Sequence, residues 1–118
     1  MDGCLFCKIA AGEIPCKKAY EDDQVLAFYD ISPQAPTHVL IIPKKHIESV
    51  LELTPADDAL LAHVLRVAQQ LAGELGVAKD GFRLVFNTGV NGGQTVMHMH
   101  MHMLGGRALG WPPGWPPG

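Results

Sequence analysis

The stretch TVMHMHMHML, residues 95–104, constrains the fold of this 118-residue chain most, because histidine and methionine alternate in it. Successive side chains of a β-strand point to opposite faces of a sheet, so the alternation predicts a strand with its imidazoles on one face. These imidazoles belong to His98, His100 and His102. The methionines would lie on the other face, where flexible apolar side chains fill a core well. A copper site with both methionine and histidine ligands would need both residue types on one face, which the alternation disfavours.

Three imidazoles on one strand face predict a functional site, because burying imidazole without partners is costly. Two interpretations fit the pattern. One is a metal site, and the other is catalysis in which one imidazole is a nucleophile or base while its neighbours bind anionic oxygens. The loop TGVNGGQ comes directly before the histidines, and its glycine N–H groups can wrap a phosphate. The loop therefore favours the catalytic interpretation.

Length and charge limit the classes of protein to which the chain can belong. We expect one domain over residues 1–110, followed by an extended tail over residues 111–118 in which WPPG occurs twice. The formal net charge is −3 and no basic patch stands out, so we expect no nucleic-acid partner. No apolar run reaches the ~18 residues of a membrane span, so we expect no membrane association and a cytoplasmic location.

Short strands and two helices are expected along the chain. Apolar and β-branched runs predict strands over residues 18–21, 25–30, 38–43 and 82–87. A short N-terminal helix is expected to close near Gly12, and a long amphipathic helix to begin at the capping residue Thr54 and stop at Gly76. His63 is expected on the solvated face of the long helix. The order of elements predicts an α+β domain with a mostly antiparallel sheet.

The sequence HMHMHML fits the signature His-φ-His-φ-His-φ-φ, with φ apolar, of the histidine triad (HIT) nucleotide-binding proteins. Further blocks resemble the Hint branch of that family, the nucleoside phosphoramidases, over nearly the whole chain: EDDQVLAFYDISPQAPTHVLIIPKKHI, NTGVNGGQTV, LGGR and WPPG. The resemblance implies a HIT fold, with a five-stranded sheet and two helices per subunit and the sheets joined in a homodimer. It also implies hydrolysis of adenosine 5′-phosphoramidates, such as AMP-lysine or AMP-amide, through a nucleotidyl-histidine, with no cofactor required for catalysis.

The resemblance also implies roles for individual residues. His100 would be the nucleophile on the α-phosphorus, and the histidines that flank or support it would be His98, His102 and His38. Asp30 would bind the ribose hydroxyls. The purine slot would be lined by Phe6, Ile9, Phe28 and Ile31. The glycine-rich loop would contact the phosphate or the leaving group through Asn87, Gly93, Gln94 and Thr95. The Thr95 hydroxyl or a neighbouring histidine would relay a proton to the departing amine.

A second site is implied by the cysteines. An odd count of three cysteines argues against a disulfide framework, and the C-x-x-C pair suggests metal binding or redox work. Two thiolates and two imidazoles make a good tetrahedral zinc set. Some bacterial members of the family carry a structural zinc at positions that match Cys4, Cys7, His46 and His98. Bound zinc would occupy His98 and leave catalysis to the other histidines.

Three departures from the family pattern bear on function. Threonine stands at position 95, where the Hint branch often has serine, and methionines separate the histidines where valine or leucine is common. The second WPPG copy leaves the leaving-group preference open. Three rival functions also stay open at this stage: a nucleotide-binding interaction module, a zinc- or copper-handling protein, and a dinucleoside polyphosphate hydrolase. LGGR and WPPG favour the Hint branch over the last of these.

Overall fold

A computed structural model describes residues 3–114 as a five-stranded antiparallel sheet with a helix on each face. The helices are α1 (Leu5–Ala10) and α2 (Asp58–Glu74), and 3₁₀ turns occupy Val50–Glu52 and Pro55–Asp57. The strands are β1 (Lys18–Glu21), β2 (Val25–Tyr29), β3 (Thr37–Pro43), β4 (Phe82–Phe86) and β5 (Met101–Gly105). They lie in the order β1-β2-β3-β5-β4, with every neighbouring pair antiparallel. The predicted α+β fold with two helices is confirmed.

The central strands bury both faces, which explains their continuous apolar runs. One face packs against α2 in a core of Val25, Ala27, Val39, Ile41, Val64, Val67, Ala68, Leu71, Met101 and Met103. The other face packs against α1 in a cluster of Phe6, Ile9, Leu26, Phe28, Leu40 and Ile42. His38 and His102 fall on the α1 face by the same alternation, since each is one residue away from a core side chain of the α2 face. The sheet therefore separates its thioethers from its imidazoles, as predicted.

Both ends of α2 form as the sequence predicts. The Thr54 backbone N–H donates to the Asp57 carboxylate in a capping box, and a 3₁₀ turn at Pro55–Asp57 leads into the helix. Gly76 has a φ of 76° just past the last helical turn. That left-handed conformation is strained for a residue with a Cβ, which is why glycine ends the helix here.

The predicted strand over residues 95–104 is wrong in its first half. Regular β-structure begins only at Met101, and the preceding segment leaves the ladder, with the Met99 N–H donating to the Ile47 carbonyl at 2.6 Å. Met101 and Met103 are fully buried and Met99 is 3% exposed, so these three fill core as expected. Met97 is 47% exposed, so the core prediction is wrong for this residue.

The prediction of a solvated face at His63 holds only in part, because the side chain is 33% exposed but is also paired. Its Nε2 lies 2.5 Å from the Asp22 carboxylate, so the side chain ties α2 to the turn between β1 and β2. None of the helices within residues 3–114 has the length and apolar character that a membrane span requires. The first WPPG copy is an irregular turn at residues 111–114, whereas the second copy, at 115–118, lies outside the described residues.

Candidate active site

A cavity of ≈ 410 Å³ opens on the α1 side of the sheet. Most of the residues predicted to act on the substrate line it: Phe6, Ile9, Phe28, Asp30, Ile31, Asn87, Gly93, Thr95, His100 and His102. The cavity is also lined by four residues for which no role was predicted: Leu5, Tyr29, Leu40 and Val96. The structure thus brings together residues from α1, the end of β2, β3, the glycine-rich loop and β5. Three predicted residues, His38, His98 and Gln94, lie behind this lining.

His100 is held with a single ring nitrogen available to a substrate. Its Nδ1 lies 2.7 Å from the His98 carbonyl oxygen. A carbonyl oxygen can only accept a hydrogen bond, so Nδ1 carries the proton in that contact. In the neutral ring Nε2 therefore keeps its lone pair. Phe6 packs edge-on against the ring, with centroids 5.0 Å apart, and restricts its rotation.

A chain of hydrogen bonds fixes the tautomers of His38 and His102. The backbone N–H of Gln34 donates to His38 Nδ1 at 3.0 Å, so this nitrogen is unprotonated and the neutral ring carries its proton on Nε2. His38 Nε2 lies 2.9 Å from His102 Nδ1 and donates to it. The remaining proton of a neutral His102 is therefore on Nε2. The backbone N–H of one loop residue thus determines that His102 offers an N–H donor.

Burial keeps these rings neutral near pH 7. Desolvation, together with the neighbouring His100 and His38, lowers the pKa of His102 to about 4. Burial also lowers the pKa of His38, although the Asp30 carboxylate opposes the shift. A neutral imidazole can act as a nucleophile or hydrogen-bond donor without first losing a proton. The neutral rings of His38 and His102 therefore suit a site that holds its substrate through imidazole N–H donors at neutral pH.

Asp30 stands where β2 ends, between the cavity and His38. One carboxylate oxygen accepts the Ser32 N–H at 2.7 Å, which holds the start of the loop. The other lies 3.6 Å from His38 Nε2 and is a second acceptor near that N–H. Ile31 follows at the cavity mouth and is fully exposed. The carboxylate is therefore anchored but keeps acceptor capacity toward the cavity.

The glycine-rich loop closes the other side of the cavity. Gly89 and Gly93 have φ values of 70° and 77°, which fold the loop back on itself. The Asn87 side chain donates to the Gly92 carbonyl at 2.7 Å. Gln94 was expected to contact the substrate, but it is buried and holds the loop instead. Its side-chain amide accepts the Gly89 N–H at 3.0 Å and donates to the Glu48 carbonyl at 2.7 Å.

The four residues predicted to bind zinc meet beside the cavity. The ligand atoms of Cys4, Cys7, His46 and His98 all lie within 4.8 Å of one another. His98 Nδ1 is 3.2 Å from Cys4 Sγ, and His46 Nδ1 is 3.3 Å from Cys7 Sγ. A tetrahedral ion with Zn–S and Zn–N bonds near 2.3 and 2.0 Å would need such pairs about 3.5 Å apart.

The surroundings of this cluster also fit a cation. His98 Nε2 donates to the Pro43 carbonyl at 2.7 Å, which leaves Nδ1 unprotonated and turned toward the thiols. Burial and the neighbouring Cys4 raise the pKa of Cys7 to about 11, so the thiol stays protonated until a cation displaces the proton. A second group, Asp30, His38 and His102, also lies within 4.8 Å. The hydrogen bond from His38 to His102 and the Asp30 carboxylate 3.6 Å from His38 already account for that group.

Sequence reasoning missed the residues that act through their backbone. The Gln34 N–H and the carbonyls of Pro43 and His98 determine which imidazole nitrogens are free. Backbone groups carry no sequence signal, because every residue other than proline offers the same donor and acceptor. Val96 and Leu40, which also line the cavity, are apolar residues of the kind found in any core.

Comparison with known proteins agrees with this geometry. The HIT domain family model matches residues 11–109. An uncharacterised HIT-like protein of Synechocystis is 54% identical over 109 residues, which are 92% of this chain and 95% of that protein. A purine nucleoside phosphoramidase of Escherichia coli K12 is 50% identical over 106 residues, 90% of this chain and 89% of that protein.

Solved structures give the same assignment. A crystal structure of a HIT family hydrolase from Legionella pneumophila superposes with a TM-score of 0.94 at 55% identity, covering 95% of this chain and all of that one. A histidine triad protein from Clostridium difficile superposes with a TM-score of 0.89 at 47% identity, covering 93% of this chain and 95% of that one. With the family model matching most of the sequence, this chain belongs to the HIT domain family.

Proposed function

We propose that this chain is a purine nucleoside phosphoramidase, which hydrolyses the P–N bond of adenosine 5′-phosphoramidates to AMP and an amine. Its relatives and structural neighbours make it a hydrolase. The 50% identity to the Escherichia coli enzyme supports the finer assignment. The observation that carries the proposal is the His100 ring, whose Nδ1–H is held by the His98 carbonyl while Nε2 is free at a cavity.

The first chemical step would form a covalent intermediate. The Nε2 lone pair of His100 attacks the α-phosphorus, and the P–N bond to the amine breaks with its electron pair leaving on the amine nitrogen. The amine takes up a proton from the Thr95 hydroxyl or the His102 Nε2–H, both of which line the cavity. In the second step water attacks phosphorus and returns a proton to the group that protonated the amine, the P–Nε2 bond breaks with its electron pair going back to Nε2, and AMP leaves with the water oxygen.

The other cavity residues would bind the nucleotide. Phe6, Ile9 and Phe28 form an apolar wall that suits a purine ring, and the Asp30 carboxylate would accept hydrogen bonds from the ribose hydroxyls. The His102 N–H and the backbone of the glycine-rich loop would hold the phosphoryl oxygens. Positioning and hydrogen bonds of this kind need no metal at the phosphate.

The test is release of AMP from AMP-amide in EDTA, with His100→Ala beside the wild type. We expect His100→Ala to lose at least about 10³-fold in kcat, because removal of a covalent nucleophile leaves only binding and positioning. His63→Ala is the matched control, since His63 lies on α2 and bonds Asp22. If His100→Ala still releases AMP, the assignment of His100 as the nucleophile is wrong. AMP binding without hydrolysis by the wild type would favour the nucleotide-binding module, and preferential cleavage of diadenosine tetraphosphate would favour the polyphosphate hydrolase.

We further propose that Cys4, Cys7, His46 and His98 hold a structural zinc, which the distances within the cluster support. The ion would link α1 to the segment before β5 and would not take part in the reaction.

We also propose a homodimer. The partly exposed Leu84 lies on β4, an edge strand of the sheet, and Leu65 of α2 is 42% exposed. Sedimentation velocity would distinguish a dimer from a monomer. A cytoplasmic location remains a prediction.

A further inference from the structure

The motif Gly105-Gly106-Arg107, at the end of β5, docks against two separate parts of the chain. A Cβ at Gly105 would lie 2.9 Å from the Val77 side chain. A Cβ at Gly106 would lie 2.9 Å from Pro36 Cβ, and Gly106 also has a φ of 90°. Both glycines therefore permit a close approach that a side chain would prevent.

Arg107 completes this contact by holding the loop over residues 31–36. Its Nε and Nη2 both donate to the Gln34 carbonyl, at 3.1 and 2.9 Å. Its Nη1 donates to the neighbouring Ala108 carbonyl at 2.9 Å, which orients the guanidinium plane. The guanidinium is thus held by the backbone next to it in sequence, and it presents two donors to the Gln34 carbonyl oxygen of the loop. Gly106 and Arg107 together form what we call the loop clasp.

Gln34 connects the loop clasp to the histidines. Its carbonyl is held by Arg107, and its N–H donates to His38 Nδ1 at 3.0 Å. That N–H, supported by the Asp30 carboxylate 3.6 Å from Nε2, selects the His38 tautomer that carries its proton on Nε2 and donates to His102 Nδ1. Without it, the buried His38–His102 pair could reverse its hydrogen bond, with Nδ1–H on His102 donating to His38 Nε2. His102 would then present a lone pair, not an N–H, to a phosphoryl oxygen.

We propose that Arg107 is a positioning residue: through Gln34 it holds His38 and His102 in the tautomers that aim an N–H donor at the substrate phosphate. Arg107 contacts neither the cavity nor the histidines, and it is exposed. Exposed hydrogen bonds contribute little to folding stability, so its loss should affect the tautomers more than the fold. The consequence for catalysis rests on the proposed function, whereas the consequence for the tautomers does not.

The test reads the ring nitrogens directly. Long-range ¹H–¹⁵N spectra of protein labelled with ¹⁵N-histidine should show the wild-type His38 and His102 each protonated on Nε2 near pH 7.5. Arg107→Met keeps the aliphatic stem and removes the donors, and we expect shifts averaged between the two tautomers for both rings. Arg107→Lys keeps one donor and should restore part of the wild-type shifts, because a single ammonium cannot reproduce the fork.

Matched controls separate positioning from general damage. Gly106→Ala should cause the same change as Arg107→Met, because its Cβ would push the loop clasp off Pro36. Gly110→Ala should leave the spectra unchanged, since a Cβ there meets open space. Arg66→Met, which removes an exposed arginine that bonds only Gln69 within the described residues, should also leave the spectra unchanged.

AMP-amide hydrolysis provides the second readout. We expect kcat to fall about tenfold in Arg107→Met, with a smaller change in KM, as is usual when a residue that orients a site residue is removed. The proposal is overturned if His38 and His102 keep the wild-type tautomers in Arg107→Met. This holds even if the variant has a lower melting temperature. If the wild type hydrolyses no phosphoramidate, the proposed function fails, but the spectra still decide whether the loop clasp sets the tautomers.

Discussion

His38 Nε2 lies 2.9 Å from His102 Nδ1, although the two residues are not directly opposite each other on β3 and β5. In the register of these strands His38 faces Leu104, and His102 faces Leu40. The pair is therefore diagonal, a spacing that long side chains on one face of a sheet can bridge. The diagonal contact places one imidazole behind the other, so that His38 can determine the protonation of His102 without reaching the cavity.

The diagonal contact predicts that His38 acts only through His102. We expect His38→Ala to lower kcat for AMP-amide about 10- to 100-fold while the Kd for AMP changes little, because the ring orients a cavity residue but does not touch the nucleotide. Stopped-flow and equilibrium AMP binding would measure the two effects. Equal losses in kcat and AMP affinity would place His38 in direct contact with the ligand instead.

The position of Asp30 predicts selective recognition of the ribose. We expect Asp30→Asn to weaken AMP binding about tenfold, because hydrogen bonds to a charged acceptor contribute about 1.5–3 kcal/mol. Asparagine keeps an oxygen for the Ser32 N–H, so the loop should stay in place. The matched ligand is 2′,3′-dideoxy-AMP, whose affinity should be the same in both proteins. An equal loss of affinity for AMP and for 2′,3′-dideoxy-AMP would mean that Asp30 does not bind the ribose hydroxyls.

The cysteine–histidine cluster predicts metal-dependent stability without metal-dependent catalysis. Protein purified without chelator should contain stoichiometric zinc, and Cys4→Ser and Cys7→Ser should lose it, whereas Cys16→Ser should retain it. Zinc at 100 times its Kd would stabilise the fold by about 2.7 kcal/mol, so chelation should lower the melting temperature. AMP-amide hydrolysis at 25 °C should persist after chelation. Elemental analysis that finds little zinc in the wild type would leave the cluster as paired thiols and imidazoles.

The Asp22 carboxylate predicts how stability depends on pH. It accepts hydrogen bonds from Tyr20, His63 and the backbone N–H groups of Gln24 and Val25. Burial alone would raise the pKa of Asp22, but these hydrogen bonds lower it far below its usual value. A carboxyl with a depressed folded-state pKa stabilises the fold above its unfolded pKa of about 3.9. That stabilisation is lost as the pH falls from about 4 toward the folded pKa.

Replacing this carboxylate should show the same effect at neutral pH. We expect Asp22→Asn to lower the free energy of unfolding by about 1–3 kcal/mol at pH 7, because an amide cannot accept all four hydrogen bonds. The difference from the wild type should shrink below pH 4. Asp23→Asn changes the exposed neighbouring carboxylate and should have little effect. Urea unfolding at several pH values would measure both variants, and a difference that does not depend on pH would contradict the role of the charge.

The sequence by itself determined that the sheet is antiparallel and which side chains share a face. Alternation in the histidine segment separated the imidazoles from Met101 and Met103, because side-chain direction in a strand follows from its period of two residues. The capping residues Thr54 and Gly76 placed the ends of the long helix, since orphan backbone groups need local partners. The family resemblance also brought most of the cavity residues into the prediction, although it did not reveal that regular β-structure begins only at Met101.

Tertiary structure alone decided which atom of each imidazole is free. The tautomers of His100 and His38 depend on the His98 carbonyl and the Gln34 N–H, and those groups meet the rings only after the chain has folded. The same is true of Gln94, for which a substrate contact was expected and whose amide instead bonds the Gly89 N–H. It is also true of His63, which pairs with Asp22, forty-one residues away in sequence. Residue types and local periodicity are written in the sequence. Hydrogen-bond partners distant along the chain are not, because they depend on how separate elements pack together.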